Sequence, residues 1–145
     1  MLSRAFLRLH LLRRAMSEAE KAQHAQPPAE NEDTLFDKIV RREIPSTVVF
    51  EDERVMAFRD INPTAPTHIV LIPKNRDGLT QLSLAQERHR DLLGHLMWAA
   101  AEVARLENLA EGWRLVVNNG VHGCQSVYHL HLHIIGGRQL TWPPG

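Results

Sequence analysis

Apolar residues recur along the chain in two rhythms, and each predicts a different element. In TLFDKIVRRE, residues 34–43, Phe36, Ile39 and Val40 fall at i, i+3 and i+4, the spacing of one helix face. Thr34 or Asp33 suits the N-cap of this short helix, and Pro45 ends it. The same rhythm continues at greater length in Leu92, Leu96, Ala99, Val103 and Leu106, one stripe of a long helix facing a core. Ser83 with Gln86 three positions on makes a capping-box pattern, so this helix is expected to open at Ser83, with Gly112 just beyond its end. Elsewhere the apolar residues crowd into short runs: TVVFED (47–52), RVMAFRDI (54–61), HIVLIP (68–73), WRLVVN (113–118) and YHLHLHII (128–135). Such runs read as strands, and the first two, one residue apart, as a hairpin. The sum predicts an α+β domain: one mostly antiparallel sheet of about five strands, with one long and one short helix.

The pattern stops before Thr34. Residues 17–33, SEAEKAQHAQPPAENED, are polar with Pro27-Pro28 and read as a flexible linker, which leaves 34–145 as the folded domain. Residues 1–16, MLSRAFLRLHLLRRAM, hold Arg4, Arg8, Arg13 and Arg14 and no acidic residue. That composition suits a mitochondrial transit peptide. The alternatives are a basic tail, or translation from Met16 and residence in the cytoplasm or nucleus.

Composition narrows the partners. Lysine plus arginine equal aspartate plus glutamate at 17 each, so no global charge points to nucleic acid or a membrane surface. No run approaches the roughly 20 apolar residues of a membrane span. Cys124 is the single cysteine, which forbids an intrachain disulfide and fits a reducing compartment.

Three of the nine histidines stand in HLHLHIIGG, residues 129–137. On a strand His129, His131 and His133 share one face and Leu130, Leu132 and Ile134 the other, with same-face neighbours roughly 6.5–7 Å apart. Three readings compete: a polar strand face, a metal site completed by His68 or Cys124, and a nucleophilic histidine oriented by its neighbours. The preceding loop, NNGVHGCQS (118–126), holds Gly120 and Gly123, and glycine-rich loops can aim backbone N–H groups at phosphate oxygens. Gln125 and Ser126 add donors beside the histidines. A phosphate cradle next to an imidazole favours phosphoryl or nucleotidyl transfer.

With φ an apolar residue, His129-Leu130-His131-Leu132-His133-Ile134-Ile135 has the form His-φ-His-φ-His-φ-φ, and in this it resembles the histidine triad superfamily. DTLFDKIVRREIP, FEDERVMAFRDINPTAPTHIVLIPK, QSVYHLHLHIIGGRQL and the terminal WPPG are similar to its Hint branch, the histidine triad nucleotide-binding proteins, across the whole of 34–145. The resemblance implies a homodimer whose sheets join, and cleavage of the P–N bond of purine nucleoside 5′-phosphoramidates, AMP-lysine among them, through a nucleotidyl-histidine. It implies His131 as nucleophile, His129 as the donor that orients it, and His133, His68 and Ser126 as the surrounding catalytic network. Asn118, Gln125 and Ser126 fall on phosphate-contacting positions, Asp60 on the ribose-binding carboxylate, and Phe36, Ile39, Phe58 and Ile61 on the purine pocket. No cofactor, metal, nucleic acid or membrane span is expected. Cys124 departs from the small residue usual at its place. A non-catalytic purine-nucleotide regulator built on the same pocket is the alternative.

Overall fold

The expected α+β class is what the computed structural model shows for the residues it describes, 16–145; the Arg-rich start falls outside the described residues apart from Met16. Five strands, β1 Val48–Glu51, β2 Val55–Arg59, β3 Thr67–Pro73, β4 Trp113–Val116 and β5 Leu132–Gly136, lie in the order β1-β2-β3-β5-β4. Every neighbouring pair is antiparallel. The helices are α1 Glu18–His24, α2 Leu35–Val40 and α3 Arg90–Leu106.

Strand alternation splits the apolar side chains between two cores. Val55 and Ala57 of β2, Ile69 and Leu71 of β3, and Leu132 and Ile134 of β5 face α3, where they meet Leu96, Ala99, Ala100 and Val103. Met56, Phe58, Val70 and Ile72 face the other way, onto Phe36 and Ile39 of α2. Thr34 caps α2 in a capping box with Asp37, which fixes where Phe36 and Ile39 enter that second core. The register Val70↔His133 and His68↔Ile135 puts His68 and His133 on the α2 face as well.

Three elements depart from expectation. The long helix starts at Arg90, not Ser83; the chain first makes two short 3-10 turns, Leu82–Leu84 and Glu87–His89, with Ala85 extended between them at ψ 136°. His89 holds that corner, because its buried ring accepts from the Gln86 amide at 2.9 Å and donates to the Asp77 carbonyl at 2.9 Å. A local capping pattern thus yields to a buried tertiary anchor. At the other end of α3 Leu106 leaves the stripe and is 59% exposed. The last strand begins at Leu132, four residues later than expected, since the ladder with β3 ends at Leu71↔Leu132. Upstream of it the Leu130 amide donates instead to the Leu79 carbonyl at 2.9 Å. Finally, the stretch read as a linker contains the seven-residue helix α1, with a Ser17–Glu20 capping box and Ala22 fully buried.

Candidate active site

On the α2 face the sheet, α1 and the 118–126 loop enclose a cavity of about 740 Å³. Phe36, Ile39 and Phe58 supply an apolar wall, Asp60 and Ile61 stand at the end of β2, and His68, His131, His133, Ser126 and Asn118 supply polar groups. Phe36 joins the two kinds of lining: its ring packs edge-on to Phe58 at 5.6 Å and to His131 at 5.1 Å. Ile61 is 90% exposed, so it borders the cavity from the rim.

Backbone contacts assign each imidazole its tautomer. His131 Nδ1 lies 2.7 Å from the His129 carbonyl, which can only accept, so Nδ1 carries the proton and Nε2 keeps its lone pair. The Thr64 amide donates to His68 Nδ1 at 3.1 Å, which places the proton of His68 on Nε2. His68 Nε2 therefore donates to His133 Nδ1 across 2.9 Å, leaving the proton of His133 on its own Nε2. Among the described residues no buried side-chain polar atom lacks a partner, and both rings line the cavity, so the free Nε2 atoms open onto it. One offers a lone pair, the other an N–H. Burial pushes the pKa of His131 down; burial, then the nearby His131 and His68, pushes His133 down to about 3. Both rings are neutral at pH 7, as a nucleophile and a neutral donor require.

His129 is different. Its ring is fully buried, donates from Nε2 to the Pro73 carbonyl at 2.9 Å, and accepts at Nδ1 from the Thr34 hydroxyl at 2.9 Å. Burial pushes its pKa down to about 4. The ring does not line the cavity, and it is the main-chain carbonyl of His129, rather than its side chain, that orients His131.

The loop also corrects an expectation. The amides of Gly120, Cys124 and Gln125 are spent inside it, on Gln125 Oε1 at 2.9 Å, the Val121 carbonyl at 3.0 Å and the Gly120 carbonyl at 3.0 Å. They form no anion nest. Gln125 is a buried brace, its Nε2 donating to the Thr80 and Val127 carbonyls at 2.8 and 3.1 Å, with none of its side chain in the cavity lining. Gly123 belongs to this tight packing, since a Cβ there would sit 2.5 Å from the Asn119 carbonyl oxygen. Cys124, at φ 59° and exposed, borders the cavity beside Ser126.

Sequence reasoning missed several participants. Thr64 sets the His68 tautomer, and Thr34 and Pro73 hold His129. From α1, Glu18 and Lys21 line the cavity, and Glu18 Oε2 accepts from the Ser126 hydroxyl at 3.0 Å. The S-x-x-E spacing of Ser17 and Glu20 was the available signal for that helix. Asp60 accepts from the Asn62 amide at 2.8 Å and leaves Oδ2 3.5 Å from His68 Nε2. Asp60, His68 and His133 bring ligand atoms within 4.8 Å of one another, the one grouping of metal-ligating type among the described residues. Cys124, His129 and His131 lie outside it, and a cation there would displace the His68–His133 hydrogen bond.

An antiparallel sheet carrying a lone-pair imidazole, a second imidazole donor and an apolar cleft beside them defines a histidine-based candidate active site. The HIT domain family model matches residues 41–140. The chain is 62% identical over 129 residues to adenylylsulfatase HINT1 of Arabidopsis thaliana, covering 89% of this chain and 86% of that protein. It is 62% identical over 112 residues to the 14 kDa zinc-binding protein of Zea mays, covering 77% and 88%. Among solved structures, a HIT family hydrolase from Legionella pneumophila Philadelphia 1 superposes with a TM-score of 0.75 at 47% identity, over 78% of this chain and all of that one. The chain belongs to the HIT superfamily, in its Hint branch.

Proposed function

We propose that this protein hydrolyses the P–N bond of purine nucleoside 5′-phosphoramidates, using His131 as the nucleophile. The observation that carries this reading is the proton inventory: Nε2 of His131 is unprotonated because Nδ1 is committed to the His129 carbonyl. In the first step that lone pair bonds to the α-phosphorus while the P–N bond breaks. The amine departs protonated, its proton drawn from solvent and relayed through the Ser126 hydroxyl, which regains a proton as it gives one up, and His133 Nε2–H donates to a non-bridging oxygen as charge builds there. In the second step water attacks phosphorus, the P–Nε2 bond breaks with return of its electron pair to the ring, and the proton released by the water leaves to solvent by the same relay. AMP and free amine are the products. Phe36, Ile39 and Phe58 suit an apolar purine face, and the Asp60 carboxylate suits ribose hydroxyls.

The name of the Arabidopsis relative supports a second substrate, adenylyl sulfate, whose cleavage would follow the same attack on the α-phosphorus with sulfate departing. The assembly expected is a homodimer. β4 is an edge strand, able to extend a sheet onto a second copy, and Trp98 and Met97 stand 52% and 60% exposed on α3. AMP release from adenosine 5′-phosphoramidate, adenylyl sulfate and a diadenosine polyphosphate tests the reading. Turnover of the phosphoramidate supports it; turnover of the polyphosphate alone overturns it. Tight AMP binding without turnover of any of them favours the regulator.

A further inference from the structure

We propose that α1 forms the leaving-group wall of the cavity and that its Glu18 is a specificity-determining residue, favouring leaving amines that carry a second, cationic group over those that carry an anionic one. The inference rests on the phosphoramidase reading and adds to it which amines are accepted. Its starting point is position. On the phosphoramidase reading Ser126 is the hydroxyl next to the departing nitrogen, and it donates to the Glu18 carboxylate at 3.0 Å. A chain borne by the leaving amine would therefore start beside Glu18, which lines the same cavity.

α1 is built to hold that place. The Ser17–Glu20 capping box satisfies its first turn, and Ala22, fully buried, seats it on the domain. The cavity retains about 740 Å³ with α1 as part of its lining, so the helix is a wall and leaves room for a nucleotide. Burial raises the Glu18 carboxyl pKa, but hydrogen bonds from Lys21 and Ser126 outweigh this and hold it below the usual range, so the carboxylate beside Ser126 is charged at neutral pH. Lys21 Nζ pairs with it at 2.6 Å, one helical turn on. The two charges bias the wall in opposite senses. Because the Glu18 side chain is 61% exposed, solvent screens the effect to about two- to fivefold in rate ratio.

The test uses the full chain and three adenosine 5′-phosphoramidates whose amines are matched in length: diaminopropane (cationic tail), β-alanine (anionic tail) and propylamine (neutral). The quantity read is the cation-to-anion ratio of kcat/KM within each protein. Glu18→Gln retains an acceptor for Ser126 and removes the charge, so the ratio should fall about two- to fivefold; Lys21→Gln bares Glu18, so it should rise by a similar factor. Both shifts should collapse near 1 M salt, where the screening length is about 3 Å; a change that arose from altered helix seating would persist. Ratios equal to the parent's in both variants, or shifts indifferent to salt, overturn the proposal while leaving the phosphoramidase reading intact. A parent protein inactive on propylamine phosphoramidate overturns both.

Discussion

His129 and His131 are two residues apart in one repeat, yet the fold treats them as different chemical objects. Both ring nitrogens of His129 are committed, to Thr34 and to the Pro73 carbonyl, and the ring is sealed from solvent. His131 commits one nitrogen to a backbone carbonyl and leaves the other open on the cavity. Spacing in the sequence makes the residues equivalent; the partner of each nitrogen makes one a strut and leaves the other a free lone pair on the cavity.

Substitutions can break that contrast. His131→Ala should lower kcat for phosphoramidate cleavage on the order of 10⁴-fold or more, because the covalent route is lost. AMP affinity, measured by calorimetry, should stay within about tenfold, since a nucleophile acts mainly in the transition state. An intermediate loss is expected for His68→Ala. Without it the His133 proton is free to move from Nε2 to Nδ1, and kcat/KM should fall about 10- to 100-fold. Burst-free steady-state kinetics with unchanged KM check that effect.

His129→Ala should reverse the pattern. Removing a buried ring leaves a void and two unpartnered polar groups, at a cost of about 2–4 kcal/mol in the urea midpoint analysis. Its turnover per folded molecule should fall far less than that of His131→Ala. A variant as inactive as His131→Ala but of parental stability would make His129 a reagent after all.

Acid supplies the mildest perturbation. The unfolded chain protonates these rings near pH 6.5, whereas burial holds His129 down to about 4 and His133 to about 3. The unfolded state therefore binds more protons across that interval, and stability is full above about pH 6.5 and declines as pH falls toward 4. Urea midpoints at about pH 7.5 and about pH 4.5 check the sign. In His129→Ala the slope should flatten.

Much of this was legible in the chain because local signals and burial agree. Thr34 caps α2, the period-2 runs form strands, and His68, Phe36 and Phe58 come to the cavity from the elements expected to carry them. The misses share one cause: a distant partner outweighed a local pattern. Ser83 and Gln86 make a plausible helix start, but His89 reaching Asp77 turns the corner first. Gln125 looks like a phosphate donor until the Thr80 carbonyl, 45 positions away, takes its amide. α1 escaped notice because a polar stretch with a single buried residue, Ala22, has no apolar rhythm to read.

The bond from His131 Nδ1 to the carbonyl two residues earlier has an evolutionary consequence. The aim of the reactive nitrogen is written into the path of the main chain, which no side-chain replacement erases. Residues around it, Glu18 and Cys124 included, are thereby free to vary while that nitrogen keeps its aim. A family built on such a segment can diversify its substrates by drift at the periphery, without first having to rediscover its chemistry.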